Sequence, residues 1–169
     1  MKTDLQRPDI SAEPFRFAVV VSRWNASLTS RLAEGAVEAL GQAGAGADSI
    51  EIFHVPGAFE LPLACLKAAQ SGQFDAVIAL GVVIRGETPH FDHVAGQAAS
   101  GIMQTSMQTG VPVMFGVITA DTPEQALARA GEKTDNKGYE AALSAIEMIE
   151  TLVELKSRID RGKTIPHVA

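Results

Sequence analysis

A polar loop that carries a histidine gives the sequence its first chemical signal. Residues 81–92 read GVVIRGETPHFD, between an apolar run at 76–84 and a stretch rich in small residues at 94–108. Loop amides beside a helix N-terminus suit an anion such as phosphate. Histidine is a common proton-transfer residue, which makes His90 a candidate for that role. A plain connecting loop with an exposed histidine explains this segment equally well, so the elements around it must decide.

The composition is that of an ordinary globular chain. Its 169 residues are 46% apolar and 20% charged, which predicts one domain with a full core. The net charge of −6 disfavours nucleic acid as the main partner. We find no apolar run of the roughly 18 residues that a membrane span needs, and no apolar signal core at the N-terminus. These features predict a cytoplasmic protein without a membrane partner.

The single cysteine, Cys65, excludes an intrachain disulfide. It lies within an apolar helical pattern, which predicts a buried, inert thiol. No Walker motif and no Cys/His metal cluster occurs in the sequence, so we expect no metal site.

Hydrophobic periodicity predicts the elements that position the loop. Four β-rich runs alternate with helical patterns, and one further amphipathic helix follows. The predicted strands are 15–21, 50–55, 76–84 and 111–118, and the predicted helices are 28–40, 61–69, 94–108, 123–130 and a long one from 139. This order predicts an α/β fold, a three-layer αβα sandwich around a central four-stranded parallel sheet with flavodoxin-like architecture.

Local signals refine the boundaries. Thr122 is a candidate helix cap, Pro123 suits the first helical position and Gln125 can complete a capping box. Pro112 fits the first residue of the fourth strand. Residues 1–14 are polar with two prolines and predict an N-terminal arm; residues 15–158 form the single predicted domain, and 159–169 a flexible tail.

Unusual segments follow all four strands, at 23–25, 56–60, 85–90 and 119–121. In a parallel sheet these segments share one edge, where open α/β sheets bind ligands. A phospho-accepting receiver domain would need acidic residues where Ser22, Arg23 and Trp24 stand. A flavodoxin would need a glycine-rich phosphate loop in place of residues 27–30. Both classes therefore fit poorly.

Six separated motifs, in order, carry a resemblance to a known family. They are RWN at 23–25, VPGAFE at 55–60, GVVIRGETPHFD at 81–92, FGV at 115–117, EQALARAG at 124–131 and NKG at 136–138. With them the chain resembles the 6,7-dimethyl-8-ribityllumazine synthases of riboflavin biosynthesis, over about residues 17–155. The resemblance implies a condensation of 5-amino-6-(D-ribitylamino)uracil with 3,4-dihydroxy-2-butanone 4-phosphate, without metal or organic cofactor.

The resemblance also implies roles for individual residues. His90 matches the proton-transfer residue. The phosphate-binding residues match Gly86, Glu87, Thr88 and Arg129. Those that bind the pyrimidine and its ribityl chain match Trp24, where Phe is usual, and Asn25, Ala58, Phe59, Glu60, Val82, Val83, Ile84, Phe115 and Lys137. Phe115 is implied to act from the adjacent subunit, and Lys137 at the same interface.

Simpler interpretations of these residues stay open. Trp24 can be a core aromatic residue, and Asn25 can merely cap the first helix. Glu60 can merely favour a helix N-terminus. Arg129 and Lys137 can be solvated charges. Two departures from the family stand near His90: His93, where Tyr is common, and Gln97, where Glu is often found.

The family assembles as pentamers or as icosahedral shells of sixty chains, with active sites between neighbouring subunits. The resemblance thus implies a homo-oligomer, and the compact segment 131–138 favours the shell. An association with riboflavin synthase is a further implied partner. The alternative function is a lumazine- or flavin-binding shell protein with little activity, against which the joint presence of His90, Arg129 and Lys137 argues.

Overall fold

The computed structural model describes residues 10–162. Each strand except the last is followed by a longer helix, and short 3₁₀ turns occur at 47–49, 58–60 and 133–135. The elements are β1 Phe17–Ser22, α1 Ala26–Gln42, β2 Ile50–Val55, α2 Leu61–Gln70, β3 Ala76–Ile84, α3 His90–Thr109, β4 Val113–Ala120, α4 Pro123–Leu127 and α5 Lys137–Gly162.

The four strands form one parallel sheet in the order β2-β1-β3-β4. This is the strand order with which a flavodoxin-like sheet begins, so the predicted fold class is confirmed. The chain passes from β1 outward to β2 and then back across β1 to β3. The direction of strand addition thus reverses between β1 and β3. That reversal leaves a crevice at the carboxyl ends of these two strands.

Side chains alternate between two cores because successive residues of a strand face opposite sides of the sheet. Val19, Val21 and Leu80 pack toward α1 and α5. Val20 and Ala79 pack toward α2 and α3. β1 and nearly all of β3 are buried on both faces, as expected for central parallel strands. The result is the predicted three-layer sandwich.

The docking of α1 on α5 leaves no room for side chains at two glycines. A Cβ atom at Gly138 would collide with the backbone carbonyl of Leu32, and one at Gly35 would lie 2.5 Å from the Asn136 side chain. The buried Asn136 side chain donates to the carbonyls of Arg31 (2.8 Å) and Gly131 (3.0 Å). Its Oδ1 accepts from the amides of Gly138 and Tyr139 and so starts α5. This amide therefore joins α1, the loop before α5 and α5 itself.

Several predicted boundaries differ from the structure by two or more residues, and four of them bear on the site or on the docking of α5. α3 begins at His90 rather than residue 94, because Pro89 has helical dihedrals and residues 90–93, with Phe91 alone apolar, show no apolar periodicity. β4 begins at Val113, since Pro112 has no N–H to donate to the ladder. α4 ends at Leu127 instead of continuing to residue 130. α5 begins at Lys137, two residues early, because Asn136 caps it.

The predicted capping box is confirmed. Thr122 Oγ1 accepts from the Gln125 amide at 3.3 Å, and Gln125 Oε1 accepts from the Thr122 amide at 3.3 Å. Pro123 occupies the first turn of α4, as predicted.

The described structure continues on both sides of residues 15–158. Ala12 is buried, and its amide donates to the Ala43 carbonyl at 2.8 Å. α5 continues to Gly162, past residue 158. The rest of the predicted arm (1–9) and of the predicted tail (163–169) lies outside the described residues. Within residues 10–162 no helix is both long and apolar enough to span a bilayer.

Candidate active site

The segment after β1 is fastened to β3 across the crevice where strand addition reverses. Asn25 adopts the left-handed conformation with φ of 61°, which Asn tolerates better than most residues. Its side chain makes no helix-capping bond; instead Nδ2 donates to the Val82 carbonyl at 2.9 Å. The capping interpretation of Asn25 is therefore wrong. The bond joins the loop that carries Trp24 to the strand that leads to His90.

Trp24 lies over the turn that follows β2. A Cβ atom at Gly57 would be 2.6 Å from Trp24 Cε3, so only glycine lets the indole settle on this turn. The Trp24 amide donates to the Pro56 carbonyl at 3.1 Å. Trp24 is nevertheless 61% exposed, which rules out a core aromatic residue. A flat aromatic face is thus held open at the crevice.

Glu60 closes the same turn. Its Oε2 accepts a hydrogen bond from the Gly57 amide at 2.8 Å, so one carboxylate oxygen has a structural task. Ala58 is buried, whereas Phe59 is 53% exposed. The turn therefore presents Phe59 and the second oxygen of Glu60.

The end of β3 contributes mainly backbone. The Val82 side chain packs toward α1 and α5, and the Val83 side chain toward α2 and α3. Ile84 is partly buried against the first of these cores. Burial thus limits contact of the Val82 and Val83 side chains with a ligand, and the main-chain groups of residues 82–84 are what the crevice offers.

The predicted phosphate loop is exposed over Gly86, Glu87 and Thr88. Nothing lies within 4 Å of a Cβ position at Gly86, so the loop faces open space there. His90 is the first residue of α3 and is exposed. No side chain caps α3. The Asp92 amide donates to the Pro89 carbonyl at 3.0 Å, so the amides of His90 and Phe91 are the ones left for an anion or solvent.

Arg85 connects this loop to two neighbouring elements. Its Nε donates to Asp121 Oδ1 at 2.8 Å, and its Nη1 and Nη2 donate to Asp92 at 3.3 and 3.1 Å. Its Cζ lies 4.1 Å from the centre of the Phe91 ring. The hydrogen bonds to Asp92, and then those to Asp121, raise the pKa of Arg85 above its usual value. The sequence motif contained Arg85 and Asp92, but nothing in it linked them to Asp121, which follows a different strand.

Arg129 and Lys137 lie next to each other through their backbones. The Lys137 amide donates to the Arg129 carbonyl at 2.9 Å. Arg129 is exposed, and its guanidinium forms no ion pair with any residue from 10 to 162. Lys137 Nζ lies 2.5 Å from Glu140 Oε2. Arg129 is thus an available cation, whereas Lys137 already has a carboxylate partner.

Phe115 stands apart from the other predicted site residues. It pairs with Ala79 in the middle of the β3–β4 ladder, five positions before β4 ends at Ala120. At ~3.3 Å per residue this places it about 16 Å from the carboxyl edge. Its side chain is 41% exposed because β4 is an edge strand. Within one chain Phe115 does not belong to the crevice.

Ser22 was not singled out by the sequence. Its hydroxyl is fully buried at the end of β1, 3.2 Å from a Cβ position at Gly81, and lacks a hydrogen-bond partner among the described residues. Buried polar groups of this kind are uncommon. No part of the motif pattern distinguishes Ser22 from the other residues of β1.

A groove of about 490 Å³ lies elsewhere, between β2 and α2, and is lined by Phe53, His54, Lys67 and Phe74 among others. None of the predicted site residues lines it. Among residues 10–162 no group of three or more His, Cys, Asp or Glu side chains could hold a metal ion.

Comparison with known proteins decides the family. The model of the 6,7-dimethyl-8-ribityllumazine synthase family matches residues 14–153. The chain belongs to this family. A lumazine synthase of Desulfatibacillum aliphaticivorans is 50% identical over 147 residues, covering 87% of this chain and 95% of the relative. One of Chlorobium luteolum is 52% identical over 140 residues, covering 83% and 90%.

Membership confirms the predicted resemblance and the predicted reaction. The protein is an enzyme of the lumazine synthase family, and its reaction is a step of riboflavin biosynthesis.

Proposed function

We propose that this lumazine synthase joins its two substrates at the crevice between β1 and β3, in a site completed by a neighbouring chain. The substrates are 5-amino-6-(D-ribitylamino)uracil and 3,4-dihydroxy-2-butanone 4-phosphate. The observation that carries the proposal is the hydrogen bond from Asn25 to the Val82 carbonyl. It couples the Trp24 loop to the strand that leads into residues 86–90, so the two halves of the site cannot move apart freely.

The first half of the site binds the pyrimidine and its ribityl chain. The exposed indole of Trp24 stacks on the pyrimidine ring. The turn after β2 supplies polar groups for the ribityl hydroxyls, namely the amides of Ala58 and Phe59 and the Glu60 oxygen that Gly57 does not use. Main-chain groups of residues 82–84 complete this half.

The second half binds the phosphate. The donors are the amides of Gly86 and Thr88, the Thr88 hydroxyl and the two amides that begin α3. The Arg129 guanidinium supplies the counter-charge, because its planar donors match phosphate oxygens and no carboxylate of residues 10–162 occupies it. Glu87 would repel the anion, so its carboxylate points away from it.

His90 transfers protons between these halves. The pyrimidine amine condenses with the ketone to an imine, phosphate is eliminated, and ring closure releases water. Each step moves protons, which a neutral imidazole can accept and return. Because holding two reactive partners together supplies much of the acceleration, the contribution of His90 is modest.

A neighbouring chain completes the site in a homopentamer. Phe115 is about 16 Å from the carboxyl edge of its own sheet but half-exposed on an edge strand, so a second chain can receive it. Lys137 belongs to the same interface. Exposed Leu63, Met103 and Met107 supply further apolar surface for association. The compact segment 131–138 supports assembly of pentamers into a shell; the association with riboflavin synthase stays a prediction.

The deciding experiment mixes the two substrates with the protein and follows the absorbance of the lumazine. We expect turnover well above the spontaneous reaction. His90→Ala should lower kcat by about tenfold to a hundredfold, since one proton-transfer group contributes in this range or above. His54→Ala, an exposed histidine on β2, is the matched control and should retain activity. Tight binding of a flavin without turnover would instead favour a binding protein.

Arg129→Ala tests the phosphate half separately. Loss of the guanidinium should raise KM for the phosphate substrate by about tenfold or more, because a charge-assisted contact is worth about 1.5–3 kcal/mol. KM for the pyrimidine should hardly change. An unchanged KM for the phosphate substrate would show that Arg129 does not bind phosphate. Electron microscopy of the purified protein tests the assembly, and particles of pentamer size alone would contradict the shell.

A further inference from the structure

We propose that Arg85 is a positioning residue, which holds the phosphate loop and the first turn of α3 against the β4–α4 loop through Asp92 and Asp121. The inference rests on the phosphate site proposed above. It assigns Arg85 no direct contact with substrate.

The three contacts of Arg85 use its guanidinium as a rigid fork. Two nitrogens face the Asp92 carboxylate, at 3.1 and 3.3 Å, and Nε faces Asp121 at 2.8 Å. The Phe91 ring covers the guanidinium plane, 4.1 Å from Cζ. A planar group with five fixed donors can satisfy such a set at once, whereas a lysine ammonium cannot.

These contacts close the phosphate loop at both ends. At the beginning, the Arg85 amide donates to the Ala120 carbonyl at 2.9 Å, which pins the loop to β4. At the end, the Arg85 side chain holds Asp92, two residues after His90. Residues 86–90 are therefore suspended between two points that the same arginine fixes.

The network also reaches the element that carries Arg129. The Asp121 amide donates to Gln125 Oε1 at 2.8 Å, and Gln125 belongs to α4. Arg129 lies two residues after the end of α4. Through Asp121, Arg85 thus relates the loop donors to the chain segment from which Arg129 extends.

Charge distinguishes the two arginines. Arg85 stands between two carboxylates, so the trio carries a net charge of −1 and does not attract a phosphate. Arg129 has no such partner among residues 10–162. The side chains of Arg85, Asp92 and Asp121 are 41%, 59% and 65% exposed. Exposed ion pairs contribute little to stability, so the value of the network lies in geometry.

Arg85→Met tests the proposal by steady-state kinetics with the assembled enzyme. We expect KM for the phosphate substrate to rise about tenfold, since misplaced supporting groups commonly cost ten- to a hundredfold. KM for the pyrimidine should stay within about twofold. Circular dichroism and oligomer mass should match the wild type. An unchanged KM for the phosphate substrate, or an equal rise for both substrates, would overturn the proposal.

Arg16→Met is the matched control. Arg16 forms an ion pair of 2.9 Å with Glu51 and is exposed to a similar extent, at 46%, but it precedes β1 at the opposite edge of the sheet. Both KM values should therefore remain unchanged. Arg85→Lys keeps the charge without the fork and should resemble Arg85→Met. If lysine restored the wild-type KM, charge alone would suffice and the positioning role would be wrong.

Asp121→Ala gives a test of sign. If Arg85 acts by position, loss of its partner should raise KM for the phosphate substrate. If Arg85 instead binds phosphate directly, removal of a competing carboxylate should lower that KM and so overturn the proposal. Arg129→Ala, measured in parallel, separates a failure of the phosphate site from a failure of the role of Arg85. If Arg129→Ala leaves KM for the phosphate substrate unchanged, the phosphate site itself is refuted. If Arg129→Ala raises that KM but Arg85→Met does not, only the role of Arg85 is refuted.

Discussion

The two helical layers of this molecule meet different demands. On one side α1 and α5 dock so closely that Gly138 faces backbone, and the outer side of α1 is polar, with exposed Glu34 and Glu38. On the other side α2 and α3 also approach closely, with a Cβ position at Gly101 lying 2.7 Å from Pro62. There the outer surface carries Leu63, Met103 and Met107, which are 65%, 65% and 82% exposed. The outer side of α1 is polar, whereas α2, α3 and the end of α5, where Val153 and Ile159 are 58% and 57% exposed, leave apolar surface uncovered within one chain.

Gly138→Ala should produce the largest effect on the first layer. The added methyl group would overlap the Leu32 carbonyl, and backbone cannot turn aside as a side chain can. We expect the free energy of unfolding to fall by about 3 kcal/mol or more, by urea denaturation. Gly41→Ala is the control, because nothing lies within 4 Å of its Cβ position on α1. Gly41→Ala should raise the free energy of unfolding by about 0.5–1 kcal/mol. Equal effects would mean that the docking of α1 on α5 is not tight.

Asn136→Ala should have the second-largest effect. We expect the free energy of unfolding to fall by about 2–4 kcal/mol, since the change leaves several buried backbone groups without their partner. The comparison is Asn25→Gly, which tolerates the positive φ of residue 25 and removes one hydrogen bond. Its cost should be about 1 kcal/mol or less. A loss for Asn136→Ala no greater than that for Asn25→Gly would show that the buried amide does not hold α1 and α5 together.

Met107→Glu probes the second layer. The residue is 82% exposed, so the fold should be retained, as judged by circular dichroism. Sedimentation should nevertheless show a loss of the assembled form, because a charge would enter a buried apolar interface. Glu34→Lys, an exposed change on the polar face of α1, should leave the assembly intact. An assembly unaffected by Met107→Glu would place the subunit interface elsewhere.

The reactivity of Cys65 tests how tightly α2 packs on the sheet, and it should show the smallest effect. Burial raises the pKa of this thiol from 9.0 to about 12. Only the thiolate reacts with disulfide reagents, so the native protein should react slowly at pH 8 and the urea-unfolded chain quickly. The raised pKa also means that stability is fully present below the unfolded value and is lost as pH rises toward 12. Rapid labelling of the native protein would show that α2 opens readily from the sheet.

Much of the fold was predictable because its signals are local. The apolar run 76–84 and the β-rich run 50–55 are strands with the predicted bounds, and the capping box at Thr122 and Gln125 formed as predicted. Boundaries failed where a polar segment lacked periodicity, as at His90, or where a side chain distant in sequence set the start, as Asn136 does for α5. The burial of Cys65 followed from its apolar neighbours.

For the candidate site, the sequence proposed a set of residues but not their contacts. Motifs identified Trp24, Glu60 and His90, and the parallel strand order implied that they share one edge. The motifs did not show that Gly57 makes room for the Trp24 ring, nor that Asn25 bonds to β3 instead of capping α1. Such contacts depend on which strands become neighbours, and a linear pattern does not specify that.

The sequence by itself determined the class of fold, the family and the residue types available for chemistry, because periodicity and motif spacing are properties of the chain. Only the tertiary structure decided how those residues divide their tasks. It pairs Arg85 with Asp92 and Asp121 and leaves Arg129 without an ion pair among residues 10–162. It also places Phe115 about 16 Å from the carboxyl edge of its own sheet, away from Trp24 and His90. The reason is physical. Which charges pair and which side chains meet depends on distances between residues of different strands and loops, and those distances are set only when the chain folds.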